Sequence, residues 1–317
     1  MTRHFSRCLC WIGLVPIVVA QEYLGSGPQP PVRPVFAPGQ ITTVFSTAAS
    51  SIPELTKATA FPLPQVLGGY SVEFRLGEAG PVWLAPILHV RRYSSCPSTK
   101  GILVPCATIA GISIQVPWEL SAGVNFGTAL MSIVLDGVRG KFADVLVAGT
   151  QVRFANGADA AVLERGSLGT LVMHGDGSAT TAENPARSGE VLSAYLFGLG
   201  IPSGQVVLKS GEPVSEGAEL SGLALRYEFR PTQSPEVYPL IGGAGAPLEV
   251  RWAGLAPGSV GLYQVNFVIP GVPDGIPECL SGGRGVSSNL TLSLVNEPFA
   301  GFGSQAATAI CVAPGRP

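Results

Sequence analysis

The sequence predicts an all-β protein built from two sandwiches in tandem, and three features of the chain lead to that prediction. Segments of period-two alternation recur along it, turn residues separate them, and part of the pattern repeats after about 150 residues. Glycine (41 residues) and proline (28 residues) follow no collagen period, which is typical of short strands joined by many turns. No amphipathic pattern exceeds two helical turns, so we expect no substantial helix.

The first residues are organised like a secretory signal peptide. A short basic region around Arg7 precedes an apolar run from Leu9 to Ala20. The run ends in the residue types that a signal peptidase prefers, and it is shorter than the ~20 residues that span a bilayer. We therefore expect a signal peptide over residues 1–20, cleaved after Ala20, and export of the mature chain. Residues 21–34 are rich in proline and predict an extended leader.

Charge argues against nucleic acid as a partner, and the lengths of the apolar runs argue against a membrane-spanning segment. Charged residues make up 13% of the chain and its net charge is −2, so it lacks the basic stripe that neutralises nucleic-acid phosphates. Glycine, proline or a charged residue interrupts every later apolar run, so we expect no transmembrane segment in the mature chain. The expected partner is an unknown extracellular protein or a glycan.

Four cysteines remain once the signal peptide is removed, namely Cys96, Cys106, Cys279 and Cys311. An even number in an oxidising compartment predicts disulfides, and four cysteines allow three pairings. We favour Cys96 with Cys106, which closes a short loop, and Cys279 with Cys311, which holds the C-terminal tail. The paired spacings of a structural zinc site are absent, so zinc is the weaker interpretation.

Alternation of apolar and polar residues predicts the individual strands in order along the chain. The clearest segments are Gly69–Leu76, Ile112–Val116, Met131–Leu135, Leu248–Trp252, Tyr263–Ile269 and Leu290–Val295. The third of these ends at the turn pair Asp136-Gly137, which is a hairpin signal. Short strands separated by such turns favour a sandwich of antiparallel sheets.

Pairs of similar segments about 150 residues apart indicate a duplication. Ala37–Ile41 parallels Arg187–Val191, Ile114–Pro117 parallels Phe267–Pro270, and Asp136–Val138 parallels Arg284–Val286. We therefore predict two tandem Ig-like (IPT/TIG-like) β-sandwich domains. The first covers residues 35–150 and the second residues 185–297, with an inter-domain hairpin over residues 151–184 and a tail over residues 298–317.

The second half also carries a likeness to a known family. Its segments Asn184–Val191, Gly198–Gly200, Ala253–Gly258, Gly261–Asn266 and Val286–Asn289 resemble the Solibacter uncharacterized C-terminal domain family. The first half is similar more loosely, through Ala37–Gly39, Gly68–Val72 and Ile114–Leu120. The resemblance implies an extracellular Ig-like module of secreted acidobacterial proteins, with no assigned enzymatic activity. The chain departs from the family pattern in a cysteine-bearing insertion over Ser94–Cys106 and in the tail that contains Cys311.

Residues suited to nucleophilic catalysis are sparse. Such catalysis needs a base beside the nucleophile, usually histidine, and only His89 and His174 follow the signal peptide. His89 alternates with apolar residues and fits a solvent-facing strand position, whereas His174 precedes Gly175-Asp176-Gly177 and fits a turn. The motifs of serine hydrolases, zinc proteases and phosphate loops are absent, so we predict no catalytic residue and no cofactor.

Carboxylates leave one enzymatic alternative open, because a glycosidase needs only two that converge. The candidates are Glu119, Asp136, Asp144 and Glu190. Solvated positions at strand ends are the simpler explanation, so a carboxylate-based hydrolase is a remote alternative. Asp176 and Glu183 could hold calcium between the sandwiches, but the sequence has no dense acidic loop and we predict no metal.

Tryptophan supplies the other candidate chemistry, since an exposed indole stacks on the apolar face of a pyranose ring. The candidates are Trp83, Trp118 and Trp252, although tryptophan also fills sandwich cores and domain interfaces. Trp252 lies in phase with Leu248 and Val250 and should face inward. Trp118 follows a proline at a strand end, so we predict it as the possible ligand platform.

Together these features predict a secreted, non-enzymatic structural or adhesive module of unknown ligand. The alternative is an extracellular carbohydrate-binding protein that uses Trp118 and the neighbouring loops. In either case the binding residues would lie on the loops and surfaces of a rigid scaffold.

Overall fold

The computed structural model describes residues 23–26, 34–47, 53–95, 107–121, 126–156, 171–202, 207–233, 236–237, 239–280, 286–295 and 307–315. Within these ranges the chain forms 23 strands and one short 3-10 turn, Trp118–Ser121. The all-β prediction is therefore confirmed. Nowhere in these ranges is there a helix with the length and apolar character of a membrane span.

The first half of the chain forms two sheets, which we name A and B. Sheet A contains, in spatial order, β1 (Tyr23–Ser26), β3 (Ile41–Thr47), β8 (Ala107–Gln115), β7 (Ile87–Ser95) and β4 (Leu55–Lys57). Sheet B contains β2 (Val35–Phe36), β11 (Ala143–Ala148), β9 (Phe126–Leu135), β5 (Tyr70–Arg75) and β6 (Val82–Leu84), with β10 (Val138–Arg139) paired to β9.

The second half forms two further sheets, C and D. Sheet C contains β12 (Arg153–Phe154), β14 (Val191–Phe197), β21 (Leu262–Val268), β20 (Val250–Leu255) and β15 (Ala218–Glu219), with β13 (Val172–Met173) paired to β14. Sheet D contains β19 (Gly242–Leu248), β16 (Leu225–Phe229), β22 (Leu290–Leu294) and β23 (Ala307–Ile310). A separate ribbon joins β17 (Thr232–Gln233) to β18 (Glu236–Val237).

The two halves share one strand order. The run β3-β8-β7 in sheet A corresponds to β14-β21-β20 in sheet C, and β11-β9-β5-β6 in sheet B corresponds to β23-β22-β16-β19 in sheet D. In each half the segment just before β3 or β14 crosses to the other sheet and pairs there in parallel. β2 pairs with β11, and Ala186 forms an isolated bridge with Val312, two residues after β23. This is the order of an immunoglobulin sandwich, in which strands A, B, E and D share one sheet and C, F and G the other.

The duplication is clearest in the turn that leads into β3 and β14. Gly39 and Gly189 occupy it with φ angles of 74° and 79°, a region that favours glycine. Each of these glycines donates its N–H to the carbonyl just beyond the neighbouring strand, at 2.8 and 2.9 Å. The side chains of Gln40 and Glu190 close the turn by accepting from the backbone N–H three residues earlier, at 2.9 Å in both halves.

The third predicted pair of repeated segments is not equivalent. Asp136 and Gly137 form the turn after β9, with φ angles of 48° and 79°. Val286 instead precedes β22, the strand that corresponds to β9. Val138 therefore follows β9 while Val286 precedes the equivalent strand, so the predicted match is wrong at this residue; Arg284 and Gly285 lie outside the described residues.

Each half encloses an apolar core between its two sheets. The first core includes Val44, Val90 and Ile112 from sheet A and Tyr70, Phe74 and Met131 from sheet B. The second includes Leu192, Val265 and Phe267 from sheet C and Phe229, Leu290 and Leu292 from sheet D. Full burial of a large apolar side chain contributes about 1.5–3 kcal/mol, so these rows stabilise the sheets against each other.

Three segments that were predicted to flank or join the sandwiches belong to them instead. Within residues 21–34 the strand β1 joins sheet A, within 151–184 β12 and β13 join sheet C, and within 298–317 β23 closes sheet D. The prediction that these stretches lie outside the sandwiches is wrong for those strands. They pair with backbone groups that a bare sheet edge would leave unpaired. The predicted signal peptide over residues 1–20 lies outside the described residues.

Candidate functional site

Trp118 is buried, which corrects the prediction of an exposed ligand platform. It lies in the 3-10 turn after β8, follows Pro117, and is 5% exposed. Proline has no N–H with which to continue the strand pairing, so the chain leaves sheet A here. The indole then lies against Gly39, where an added Cβ would come within 1.9 Å of the ring, and it joins the core of the second sandwich. It therefore offers no open face to a sugar.

Hydrogen bonds connect the two sandwiches around this indole. The Ser210 hydroxyl accepts from the Trp118 N–H at 2.9 Å and donates to a Glu119 carboxylate oxygen at 2.6 Å. The next residue, Gly211, donates its N–H to the side-chain oxygen of Gln115 at 2.6 Å. The end of β8 is thus fixed to the loop between β14 and β15.

A cluster of apolar side chains extends the same contact. Ile41 and Leu63 of the first sandwich pack with Val260 and Leu262 of the second. The Leu63 N–H also donates to the carbonyl oxygen of Gly211 at 2.8 Å. The two sandwiches are therefore joined by a continuous interface that contains both apolar packing and backbone hydrogen bonds.

Two glycines let backbone segments approach closely in this region, one across the interface and one within the second sandwich. A Cβ at Gly261 would lie 2.2 Å from the carbonyl oxygen of Gly39, and a Cβ at Gly198 would lie 2.0 Å from that of Gln151. No side chain larger than hydrogen fits at either distance. The Gln40 side-chain nitrogen also donates to the Gln151 carbonyl at 3.3 Å, which adds a polar contact across the boundary.

A cleft of about 470 Å³ opens beside this junction. It is lined by residues 207–209 and 212–218 together with Trp118 and Gly261. Its charged groups are the Lys209–Glu212 pair, with 3.5 Å between nitrogen and oxygen, and the Glu216 carboxylate. Serine is present, but none of the described residues that line the cleft is a histidine, which is the usual base for a serine nucleophile.

His89 is buried, which corrects the prediction of a solvent-facing position. Strand alternation places it on the outer face of sheet A as expected, but that face is covered at this row, and His89 is 6% exposed. Its Nε2 lies 3.0 Å from the Ser113 hydroxyl, which in turn lies 2.7 Å from that of Thr43. Burial, followed by the charges of Arg91 and Lys57, lowers the pKa of His89 to about 4. The imidazole is therefore neutral at pH 7.

The Ser113–His89 pair does not form a catalytic centre. Ser113 is 2% exposed, so a substrate cannot reach its hydroxyl. No carboxylate contacts His89 in the part of the chain that the structure describes, so the orienting group of a triad is missing. The pair is a buried cross-strand hydrogen bond.

His174 lies in the opposite kind of environment. Its Nδ1 is 2.6 Å from a Glu190 carboxylate oxygen and its Nε2 is 3.1 Å from the Asn184 carbonyl oxygen. Burial alone would lower the pKa of His174, but the hydrogen bonds to Glu190 and Asn184, with the charges of Glu190 and Asp176, raise it. Both ring nitrogens face acceptors, an arrangement that suits a protonated imidazole. The histidine therefore holds the turn before β14 against β13.

The four candidate carboxylates lie on separate elements. Glu119 is at the junction, Glu190 pairs with His174, Asp136 forms the β9–β10 turn, and Asp144 lies in β11. Asp144 stands opposite Leu130 of β9, six residues before Asp136, which separates the two by roughly 20 Å along the strand. Glycosidase carboxylates are about 5–9.5 Å apart, so this pair cannot act as one.

The proposed calcium ligands are not assembled into a site either. The Asp176 carboxylate accepts from the N–H and the hydroxyl of Ser178, at 2.8 and 2.7 Å, and so closes its own turn. Among the described side chains, no group of three or more His, Cys, Asp and Glu residues is close enough to hold a metal ion.

Trp252 and Trp83 are both half-buried. A bulge in the pairing of β20 between Val250 and Trp252 shifts the alternation, so Trp252 packs beside Gly217 and Gly254. The prediction that Trp252 faces inward is therefore wrong, because the pattern before the bulge does not continue through it. Trp83 packs against the first core, as a tryptophan in a core position does.

Cys279 and Cys311 form a disulfide with their Cα atoms 6.0 Å apart, which is the pairing favoured from the sequence. The bond packs with Val286 and Ala182 at the end of the second sandwich. It links the residue after β23 to the loop before β22. Cys96 and Cys106 lie outside the described residues.

Sequence reasoning missed the residues that build the junction and an aromatic pair on sheet A. Ser210 and Gly211 belong to an irregular loop, which has no periodicity to reveal its partner. Phe45 and Tyr93 meet over Gly111, a glycine in the middle of β8. A lone glycine in a strand often marks a close approach, so Gly111 was the available signal.

No protein-family model matches the chain, and no curated protein is similar to it. Among solved structures, the C-terminal domain of the Streptococcus agalactiae AgI/II polypeptide BspA shares 12% identity and a TM-score of 0.19, over 87% of this chain and 95% of that one. A second chain, BspA_C_mut, shares 10% identity and a TM-score of 0.19, over 87% and 93%. We draw nothing about fold or function from similarity at a TM-score of 0.19.

Proposed function

We propose that the chain is an exported, non-enzymatic module of the structural or adhesive kind, whose two sandwiches act as one rigid unit. The observation that supports this most strongly is the junction, where Trp118 of the first sandwich packs into the core of the second. Domains joined by a linker move relative to each other, whereas a shared core fixes their orientation. A fixed scaffold of this kind suits the presentation of binding surfaces on its sheets and loops.

The arrangement of reactive side chains is consistent with a non-enzymatic role. His89 and Ser113 are buried, His174 is held by Glu190 and Asn184, and Asp136 and Asp144 are too far apart to cooperate. Each of these residues has a structural explanation that requires no substrate.

Export and family membership form part of the same proposal. Export rests on the basic and apolar pattern of residues 1–20, and the disulfide between Cys279 and Cys311 fits an oxidising compartment. Membership of the Solibacter uncharacterized C-terminal domain family rests on the sequence segments alone.

The test is retention of the mature, oxidised chain on surfaces. Labelled protein spanning residues 21–317 would be mixed with intact bacterial cells, insoluble cell-wall material and immobilised polysaccharides. We expect saturable retention that unlabelled protein displaces, with no soluble product released. The reduced and unfolded chain is the control for non-specific adsorption.

Two results would contradict the proposal. One is the absence of saturable retention on every surface. The other is release of soluble sugar that is lost in Glu119→Gln or Asp136→Asn, which would establish a hydrolase.

A carbohydrate-binding role is the second candidate, and one observation favours it. Tyr93 is 39% exposed beside Phe45 on the outer face of sheet A, so an aromatic ring is available where Trp118 is not. The platform would then lie far from the strand end at which it was predicted.

A further inference from the structure

The outer face of sheet A carries a surface that the junction leaves open. Val44, Val90 and Ile112 point into the first core, so the residues that alternate with them point outward. By the strand register, the outward positions are Thr43 and Phe45 of β3, Ile109, Gly111 and Ser113 of β8, His89, Arg91 and Tyr93 of β7, and Leu55 and Lys57 of β4. We name Phe45, Tyr93, Arg91 and Lys57 the aromatic–cationic face.

The two rings of this face are held in place by the sheet beneath them. The Phe45 and Tyr93 centroids are 5.9 Å apart, and the ring planes meet at 69° in an edge-on contact. They meet over Gly111, where an added Cβ would lie 2.6 Å from the Tyr93 ring and 3.2 Å from the Phe45 ring. Contact with the backbone at Gly111 thus fixes the rings, while Tyr93 remains accessible.

The charges of the face are all positive. The Arg91 guanidinium lies 5.9 Å from the Tyr93 centroid, and Lys57 is exposed on the neighbouring strand. None of the described outward positions is a carboxylate, and neither cation takes part in a described ion pair. Both cations also contribute to the low pKa of His89, as expected where the local potential is positive.

A similar group on sheet B shows what is different about this one. Phe142, 38% exposed, has the guanidinium groups of Arg75 and Arg139 at 5.0 and 5.9 Å from its centroid. There, however, Arg139 is held by both carboxylate oxygens of Glu73, at 2.7 and 3.0 Å. The sheet B group therefore supplies its own anion, whereas no described outward position on the aromatic–cationic face of sheet A carries one.

We propose that the aromatic–cationic face binds an acidic polysaccharide, with a uronate carboxylate on Arg91 and a pyranose ring against Tyr93. The guanidinium fork matches a carboxylate in two hydrogen bonds, and Lys57 adds a second positive charge nearby. An aromatic ring fixed to the sheet stacks on the C–H face of a sugar at little entropic cost. Two cations on a chain of net charge −2 do not form the extended basic surface that nucleic acid requires. This assignment rests on the proposed function and names its ligand class.

The experiment compares three polymers on the full mature chain: polygalacturonate, the same polymer with its carboxyl groups reduced to alcohols, and dextran sulfate. Affinity would be measured by titration calorimetry at low and high salt for the native chain, Tyr93→Ala, Tyr93→Phe and Arg91→Gln. Phe142→Ala is the matched control, since it removes an equally exposed ring beside arginine on the other sheet. Thermal unfolding of each variant checks that it is folded.

We expect the native chain to bind polygalacturonate, to prefer it over the reduced polymer, and to bind it less tightly at high salt. Tyr93→Ala and Arg91→Gln should each weaken binding roughly tenfold or more, whereas Tyr93→Phe and Phe142→Ala should change it less than about twofold.

Three outcomes would overturn the assignment. They are equal binding to the reduced polymer, unchanged affinity in folded Tyr93→Ala and Arg91→Gln, and tighter binding to dextran sulfate that does not depend on Tyr93. If the chain is retained on cells but does not bind polygalacturonate, the ligand class is wrong while the proposed function stands. If the chain is retained on no surface, the proposed function fails as well.

Discussion

Gln40 of the first sandwich and Glu190 of the second occupy the same turn, and each accepts a hydrogen bond from the N–H three residues earlier. Their remaining side-chain atoms contact different partners. The Gln40 nitrogen donates to the Gln151 carbonyl at 3.3 Å and contributes to the junction, whereas the second Glu190 oxygen pairs with His174 at 2.6 Å. The duplicated backbone is constant, and the side-chain chemistry placed on it has diverged.

The buried histidines extend this contrast. His89 is kept neutral by its burial and by the positive charges of Arg91 and Lys57, while His174 is paired with a carboxylate. The two sandwiches should therefore respond to pH in opposite directions, although they share a strand order. Four sets of substitutions test which properties belong to the shared fold and which belong to only one of the two sandwiches.

The largest effect is expected at the junction. Trp118→Ala removes a side chain of the first sandwich from the core of the second, and such truncations cost about 3–5 kcal/mol. Hydrogen exchange should show the loss in sheet C, far along the chain from the substitution, and small-angle scattering should show a less rigid pair of sandwiches. Trp252→Ala, at a half-buried position, is the control and should cost less. Loss of protection confined to sheets A and B would contradict a shared junction.

The disulfide should stabilise the second sandwich alone. Cys279 and Cys311 are 32 residues apart, and closing a loop of that length is worth about 3–4 kcal/mol in the chain-entropy model. The double change Cys279→Ser and Cys311→Ser should lower the free energy of unfolding of the second sandwich by that amount, measured by denaturant unfolding, with the exchange protection of sheets A and B unchanged. An equal loss in both sandwiches would mean that they unfold as one unit.

Acid should weaken the first sandwich through His89. The pKa of His89 is about 4 when folded and 6.5 when unfolded, so the unfolded chain takes up a proton first as the pH falls. Stability should drop by about 3 kcal/mol between pH 6.5 and pH 4. Denaturant unfolding across this range, compared with His89→Gln, isolates the effect. If the free energy of unfolding of His89→Gln falls with pH as steeply as that of the native chain, the loss comes from other titrating groups.

The smallest effect is expected at His174, where stability should fall as the pH rises, in contrast to His89. Its pKa is raised in the folded chain, so its contribution is complete below pH 6.5 and is lost as the pH rises through the folded pKa. Glu190→Gln should cost roughly 1–2 kcal/mol at pH 6 and less at pH 9, measured by unfolding. Glu249→Gln, in the exposed pair with Arg251, is the control and should cost almost nothing. A cost at Glu190 that does not change with pH would show that His174 is neutral.

Local patterns predicted the parts of the fold that depend on local geometry. Alternation located strands such as β5 and β21, and the repeated Gly39 and Gly189 turns identified the duplication. Position in the tertiary structure was not predictable from the same patterns. Trp118 has the sequence context of an exposed strand end, and only the second sandwich buries it.

The same limit applies to the candidate sites. Alternation placed His89 on the outer face of sheet A, but it could not show that this row of the face is covered. It placed Trp252 in phase with Val250, and a bulge between the two residues reversed the result. Phe45 and Tyr93 are far apart in the sequence, and the register of β3, β8 and β7 brings them together.

The disulfide has a consequence for mechanical load. Tension applied to the chain beyond Cys311 passes through the bond to Cys279, so it bypasses the backbone between the two cysteines. Strands β22 and β23 lie within that bypassed stretch. A pull from this side cannot peel β23 away from sheet D. It must instead act on the loop before β22, and the outermost strand of the second sandwich is thereby shielded from force.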